Sequence, residues 1–533
     1  MVEVFTARSG ALSLKVDGVA MHSPYDPERE AARFVQQALG ADPPSAVIVL
    51  GESVGHLVDA VARQRPSALL LSALYSSEIA AASRPPRVPC WSPDTGMSFG
   101  SFLRQHLGEL QIEGLRVIEW PPSARAFPEV SRACNEAVRQ VVQELNGSLV
   151  TTVSAGRLWL RNCVANFMGV ERAMTGPLCT PGRAVVIAAS GPSLEDSIGL
   201  LRELRNRFDL WALPSACPAL AGSGLEPDLV VLTDPGFYAM HHLHFAPPRV
   251  LAMPLSGARG SWSLPSRPAV VLLEQPFAHE QAFLNAVGLP APPRVPPHGT
   301  VAATAIQLAL DAASGPVLLA GLDLCERDLL SHARPNAFDT LLSLQSSRTA
   351  PHTGLTFQRA QGLGSKVDAG GARLTPALRT YAGWFDAAFA GHEGRLYRVL
   401  PTAVPVAGAA GLSLEASRRL LAGVPVGREH GGPRQPGALP SAPQRRHAAL
   451  GILESWAREV GEARAALKVG GQPWDASRFP QAVELAFLSA PRRLLDSLRQ
   501  ARRGDEDSAR RAAGETFSET SQFLEALAGS VRG

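Results

Sequence analysis

Ser190-Gly191-Pro192-Ser193-Leu194 stands directly after the apolar run AVVIAA (184–189) and before a stretch with helical spacing. Glycine at such a junction permits close backbone approach, and the unpaired N–H groups at a helix start favour an anion such as a phosphate. The same residues serve a plainer purpose equally well, because Ser193 can cap the helix. The run PDLVVLTDP (227–235) reads as a strand closing on Asp234. A carboxylate there can orient a sugar or ribose hydroxyl, hold a metal, or cap the next turn. A third strand end, Gly321-Leu322-Asp323-Leu324, supplies another carboxylate and is followed by His332. Asp323 can accept backbone N–H bonds. The unperturbed pKa of histidine suits proton transfer near neutrality, although a loop histidine can equally be no more than solvated.

The elements that must hold these residues alternate between short apolar runs and helical stretches. From Arg183 to Pro401 the strands AVVIAA (184–189), DLWALP (209–214), PDLVVLTD (227–234), AVVLLE (269–274) and PVLLAG (316–321) are separated by helices that include TVAATAIQLALDAA (300–313). This is the pattern of an α/β, Rossmann-like domain with a mostly parallel sheet buried on both faces. Ligands of such sheets gather at the carboxyl ends of the strands, where all three loops lie. A β-α-β unit at 46–75, a strand at 117–120 and a helix from Pro128 to Asn146, stopped by Gly147, form an N-terminal α/β domain (1–150). Its GESVG turn (51–55) occupies a ligand-type position but reads as a simple tight turn. LWLRNCVANFM (158–168), with Asn162 and Asn166 one turn apart, leads into the central domain (151–422). The Pro/Gly-rich 423–446 reads as a linker, and 447–533 as a helical C-terminal domain with surface around Trp456 or Phe487 left for a partner.

At 533 residues, 45% hydrophobic and 19% charged, the chain has material for two or three cores and is not a disordered protein. A net charge of +3 without a basic stripe implies no nucleic acid. The six cysteines form no CxxC pair or zinc cluster, and no compact carboxylate cluster suggests a metal. The N-terminus lacks the pattern of a signal peptide, and no apolar run is long enough to span a membrane, so a cytoplasmic location is expected.

The order SGPSL, PDLVVLTDP, a Gly299-Thr300 helix start and GLDL with a later Ser-His-Ala resembles the central domain of the motility-associated factor (Maf) flagellin glycosyltransferases. The opening HSPYDP (22–27) with Glu30 and Ala31, and the helix LWLRNCVANF, are similar to that family as well, so the resemblance covers about 10–420. It extends to the small bacterial sialyltransferases and to the 6-hydroxymethylpterin diphosphokinase-like proteins. It implies a CMP-activated nonulosonic acid (pseudaminic or legionaminic type) as donor, a Ser or Thr of flagellin as acceptor, and no required metal or cofactor. By the same resemblance, Ser190, Gly191, Pro192, Ser193, Asp234, Gly299 and Thr300 bind the nucleotide, and His332 with Asp323 carries the catalysis. Two alternatives stand beside it: an ATP- and Mg²⁺-dependent diphosphokinase, and a non-catalytic flagellin-binding protein. The chain departs from its relatives at GESVGH, where they carry a glycine-rich turn followed by Tyr, and in the less regular CERDLLSHARPNAFD (325–339). Substitution of Gly191 by valine is expected to remove CMP binding and leave the fold intact.

Overall fold

The computed structural model describes residues 2–83, 87–289, 291–296, 299–327, 329–362, 366–367, 372–402, 404–426, 435–468 and 475–533. The chain divides into two compact units, Met1–Gly156 with Trp456–Phe523, and Arg157–Ser455 with Leu524–Gly533.

In the first unit the expected β-α-β is present as strand Ala46–Glu52, helix His56–Gln64 and strand Leu69–Leu74. These strands join Cys90–Trp91 and Arg116–Glu119 in a four-stranded parallel sheet. At the GESVG turn Gly51 has φ +72° and the register slips between Leu50 and Glu52. The Glu52 carboxylate then folds over the start of the following helix and accepts the N–H groups of Ser53 (2.7 Å), Gly55 (3.0 Å) and Val58 (2.9 Å). The position an anionic ligand would take is filled by the protein's own carboxylate.

Helices Pro480–Ser489 and Pro491–Arg502 do not belong to a separate C-terminal body, since residues 456–523 share a unit with residues 1–156. Arg499 pairs with Glu113 there, and Arg503 with Asp42 at 3.5 Å. Trp456 and Phe487, expected to leave surface for a partner, are 2% and 9% exposed. Both side chains are buried in the folded chain. Gly147 does not end a helix either. Pro128–Gly169 is one continuous helix of 42 residues, which absorbs the segment read as a separate connecting helix. An interior glycine costs only ~1 kcal/mol relative to alanine, which packing readily offsets. At Gly156 the missing side chain is required, because a Cβ would lie 2.4 Å from the Leu488 carbonyl oxygen.

The second unit is built on a ten-stranded sheet. In spatial order its strands are Ala409–Leu412, Leu396–Val399, Val317–Ala320, Ala184–Ala188, Phe208–Ala212, Leu229–Val231, Val250–Met253, Ala269–Leu272, Ala173–Thr175 and Gln435–Gly437. All neighbours are parallel except the last pair. The five expected strands are all present, each shorter than its apolar run. From Ala184–Ala188 the chain steps outward through four successive strands, then returns to place Val317–Ala320 on the opposite side. Strand order therefore reverses between Ala184–Ala188 and Val317–Ala320, where Val186 is in register with Leu318. The crevice beyond the carboxyl ends of that pair is where open α/β sheets bind ligands.

Parts of the 423–446 stretch, expected to be a linker, belong to regular elements. Residues 427–434 lie outside the described residues, but Gln435–Gly437 adds an antiparallel edge strand, a place that tolerates proline. Helix Ala442–Ala466 follows, and its Arg445, 7% exposed, donates to the carbonyls of Phe167 (2.9 Å) and Val170 (2.6 Å).

Candidate nucleotide site at the strand-order switch

The two loops at the reversal continue to pair after their strands end. Ala189 N–H donates to the Ala320 carbonyl and Gly191 N–H to the Gly321 carbonyl, both at 2.8 Å. Gly321 has φ +77°, and a Cβ on it would lie 2.5 Å from the Ala189 oxygen. A Cβ on Gly191 would lie 2.5 Å from the Gly321 oxygen and 2.7 Å from Asp323 Oδ2. The glycines thus permit the loops to approach each other.

Ser193 makes no side-chain cap on helix Leu194–Glu203. Its N–H donates to Asp323 Oδ2 at 2.7 Å, and its hydroxyl donates to Asp323 Oδ1. Leu194 N–H reaches the Gly191 carbonyl at 3.0 Å and Glu195 N–H reaches that of Pro192 at 3.2 Å. The N–H groups of residues 191 and 193–195 are all satisfied within the protein, and Asp323 fills the anion position at the helix start. Burial pushes the Asp323 carboxyl up, against the lowering effect of the two Ser193 bonds and of Arg327. Arg327 ties the same loop from outside, donating to Asp196 at 2.9 Å and to the Pro192 carbonyl at 3.4 Å. Polar groups at the mouth come from Ser190, whose hydroxyl accepts from Ser215 at 2.8 Å. Ser215 escaped the sequence reading, although it follows the neighbouring strand Phe208–Ala212 and so had to reach the same sheet edge.

Asp234 is exposed; its Oδ1 accepts Gly236 N–H at 2.6 Å and its carbonyl accepts Ala258 N–H at 2.9 Å. The pattern is that of a residue capping its own turn. Thr300 caps helix Val301–Ala312 by accepting Ala303 N–H at 3.1 Å. That helix runs antiparallel to the strand it precedes, so its N-terminus with Gly299 and Thr300 comes to the carboxyl edge of the sheet. Asn162 and Asn166, noted in the sequence without a role, brace two loops on this edge. Asn162 donates to the carbonyls of Pro235 (3.0 Å) and Ser256 (3.1 Å), and Asn166 to those of Leu255 (2.8 Å) and Gly257 (2.9 Å).

His332 is joined to the 190–194 loop through its neighbour, because Ala333 N–H donates to the Ser190 carbonyl at 2.7 Å. Its Nδ1 lies 2.9 Å from Ser331 Oγ, which accepts from Arg359 at 2.9 Å. A hydroxyl with one hydrogen and two lone pairs can serve either ring tautomer while holding the arginine. The ring stands 5.0 Å from Phe338 and 6.2 Å from His242, both centroid to centroid. His242 belongs to helix Phe237–Phe245, which begins just after Asp234. Burial first, then the positive charges of His242 and Arg359, push His332 down to about 4. Burial and His241 lower His242 to about 4 as well. The unperturbed pKa expected for His332 is therefore not what the fold provides. In the free protein both rings are neutral at pH 7.

Among the described residues no group of three or more His, Cys, Asp or Glu is gathered as for a metal ion. No helix among them is long and apolar enough to cross a membrane.

Three comparisons bear on this arrangement. Residues 166–329, which contain the 190–194 loop, Asp234 and Asp323, match the family model described as 6-hydroxymethylpterin diphosphokinase MptE-like. An uncharacterized protein of Treponema pallidum (strain Nichols) is 26% identical over 291 residues, covering 55% of this chain and 61% of that protein. A second from the same organism is 28% identical over 121 residues, covering 22% of this chain and 57% of the other. The chain thus spans about three fifths of the length of these curated relatives. Its fold is that of the solved Maf glycosyltransferase from Magnetospirillum magneticum AMB-1. The TM-score is 0.59 at 13% identity, over 100% of this chain and 92% of the other. The motifs resemble those of the Maf glycosyltransferases, and the fold is similar to that of a solved one.

Proposed function

We propose that the chain is a glycosyltransferase that moves a nonulosonic acid of the pseudaminic or legionaminic type from a CMP-activated donor to a Ser or Thr hydroxyl of flagellin, in the cytoplasm. The observation that carries this reading is the likeness, over the whole chain, to the fold of a solved Maf glycosyltransferase, with polar strand-end loops at the strand-order switch. In this reading the Ser190 and Ser215 hydroxyls and the helix start at Thr300 meet the donor phosphate. The Ser193–Asp323 clamp fixes the loop that presents them. Asp234, at the neighbouring strand end, faces ribose or sugar hydroxyls.

His332 Nε2 takes the proton of the acceptor hydroxyl as its oxygen attacks the anomeric carbon. The bond from that carbon to the phosphate oxygen breaks on the opposite side, and CMP leaves with the electron pair. An imidazole at about 4 is a weak base, but the donor's phosphate and carboxylate are anions that raise it toward neutrality on binding. The free site keeps His332 neutral, and the substrate supplies its basicity. The leaving group already carries its own negative charge, so the scheme calls for no metal.

A second reading, an ATP-dependent diphosphokinase acting on a hydroxymethylpterin, is favoured by the family match of residues 166–329. The test is intact-mass measurement of flagellin after incubation with the protein and CMP-pseudaminic or CMP-legionaminic acid, with and without EDTA. The expected outcome is a mass increase of one sugar residue that survives chelation. No increase with either donor, together with Mg²⁺-dependent release of AMP from ATP and a hydroxymethylpterin, would replace the first reading by the second.

A further inference from the structure

We infer that the aromatic face of helix Phe237–Phe245 is the docking surface for the acceptor polypeptide, taking a bulky apolar side chain next to the hydroxyl that is modified. This rests on the glycosyltransferase reading. Phe237 and Tyr238 are 68% and 55% exposed. Single exposed apolar residues are ordinary, whereas contiguous apolar patches mark binding surfaces. Here the rings form an unbroken series from solvent to the candidate base. Phe237 lies 5.8 Å from Tyr238, Tyr238 lies 5.4 Å from Phe338, and Phe338 lies 5.0 Å from His332. Phe237 also stacks on His241 at 5.7 Å. The opposite face of the helix is consumed in the core through Ala239, His242 and Leu243. Phe245 at the helix end is exposed too, as are Leu344 and Phe357 on the helices Ala337–Gln345 and His352–Gly362.

Continuity with His332 restricts the occupant to something that extends from the reaction centre. The donor is a polyanion with polar partners waiting at the switch-point loops. An acceptor chain, by contrast, brings side chains on both sides of its hydroxyl. Arg334 is already paired with Glu195 and Arg359 donates to Ser331, so charge does not set the occupant. The surface suits an acceptor stretch that is apolar near the hydroxyl.

The experiment compares the wild-type protein with the double variant Phe237→Ser, Tyr238→Ser, whose exposed positions tolerate polar residues. The first readout is donor-free: the affinity of fluorescently labelled flagellin for each protein at low and moderate salt. The second is CMP affinity by calorimetry, and the third is sugar transfer. Flagellin binding should weaken about tenfold in the variant, as for loss of an aromatic anchor, and should be nearly insensitive to salt in the wild type. Equal flagellin affinity in the two proteins, or no flagellin binding by the wild type, would overturn the inference. A fall in CMP affinity instead would make the rings a base-stacking platform and overturn it as well. Weakened flagellin binding with no turnover of any CMP-sugar by the wild type would leave the docking surface standing and remove the transferase reading.

Discussion

The Asp323 carboxylate holds Ser193 by two atoms, accepting its main-chain N–H at 2.7 Å through one oxygen and its hydroxyl through the other. The two residues are 130 positions apart in the chain. Their contact joins the loop after strand Ala184–Ala188 to the loop after strand Val317–Ala320, which returns beside it. It gives the helix start a fixed negative charge, so a ligand phosphate has to bind beside the clamp and not within it.

Asp323→Asn should therefore do more than remove a charge. An amide can accept from only one of the two Ser193 donors and turns its own N–H groups toward the other. We expect ~2 kcal/mol lower stability and CMP affinity reduced about tenfold or more, with Ser193→Ala intermediate in both. Thermal unfolding and calorimetry of the purified variants check this. Full CMP affinity in a folded Asp323→Asn protein would show that the clamp does not shape the nucleotide site.

Gly191 and Gly299 look alike in the sequence but differ in what surrounds them. A Cβ at Gly191 meets the Gly321 oxygen at 2.5 Å and Asp323 Oδ2 at 2.7 Å, whereas one at Gly299 meets nothing within 4 Å. Gly191→Ala should cost ~2 kcal/mol or more by overpacking against backbone, and Gly299→Ala should stay within ~0.5 kcal/mol of wild type. Urea unfolding midpoints distinguish the two. The expectation that Gly191→Val spares the fold is revised accordingly: the larger side chain should destabilise the protein as well as the site. Equal midpoints for the two alanine variants would mean the loops move apart freely.

The histidine pair gives the second unit an acid-sensitive element. Burial holds His242 and His332 at about 4 in the folded protein, below the usual 6.5. Below pH 6.5 the unfolded chain binds more protons at these positions than the folded one, so their effect is to lower stability as pH falls toward 4. Above 6.5 they contribute no slope. The full effect is up to ~3 kcal/mol per histidine, at ~1.4 kcal/mol per pH unit. His242→Phe should flatten the fall in unfolding temperature between pH 6.5 and 4, and change little at pH 8. An unchanged acid limb would place the protonation elsewhere. Adding CMP should shift the apparent His332 pKa upward in an NMR titration, since the nucleotide brings negative charge to the ring.

Much of the central domain is legible along the chain because its information is local. Apolar runs of four to six residues bounded by glycine and polar turns announce buried strands, and the segments between them carry helical spacing. From these the sequence alone determined that SGPSL, the Asp234 turn and GLDL are strand-end loops and so share one edge of a parallel sheet. It also placed Thr300 at a helix start. Where a signal was local but ambiguous, tertiary packing decided it. Gly147 and Gly156 sit inside a 42-residue helix whose other contacts outweigh two glycines. The helix FYAMHHLHF has aromatic and histidine residues all round and no apolar stripe, so nothing in its spacing announced a helix beside the site. Four-residue strands such as Val250–Met253 are too short to show a period.

What only the tertiary structure decided is non-local. Strand order, and with it the switch point between Ala184–Ala188 and Val317–Ala320, depends on pairings across more than a hundred residues that no window of sequence contains. The Ser193–Asp323 clamp, the Ser190–Ser215 hydroxyl pair and the packing of His242 near His332 exist because of that order. The protonation state of His332 follows from the same cause. A histidine's identity sets its pKa near 6.5, but desolvation and neighbouring positive charge are properties of the folded environment, and they move the ring to about 4. The sequence supplies the groups able to do chemistry, and the sheet's topology decides which of them meet and in what state of charge.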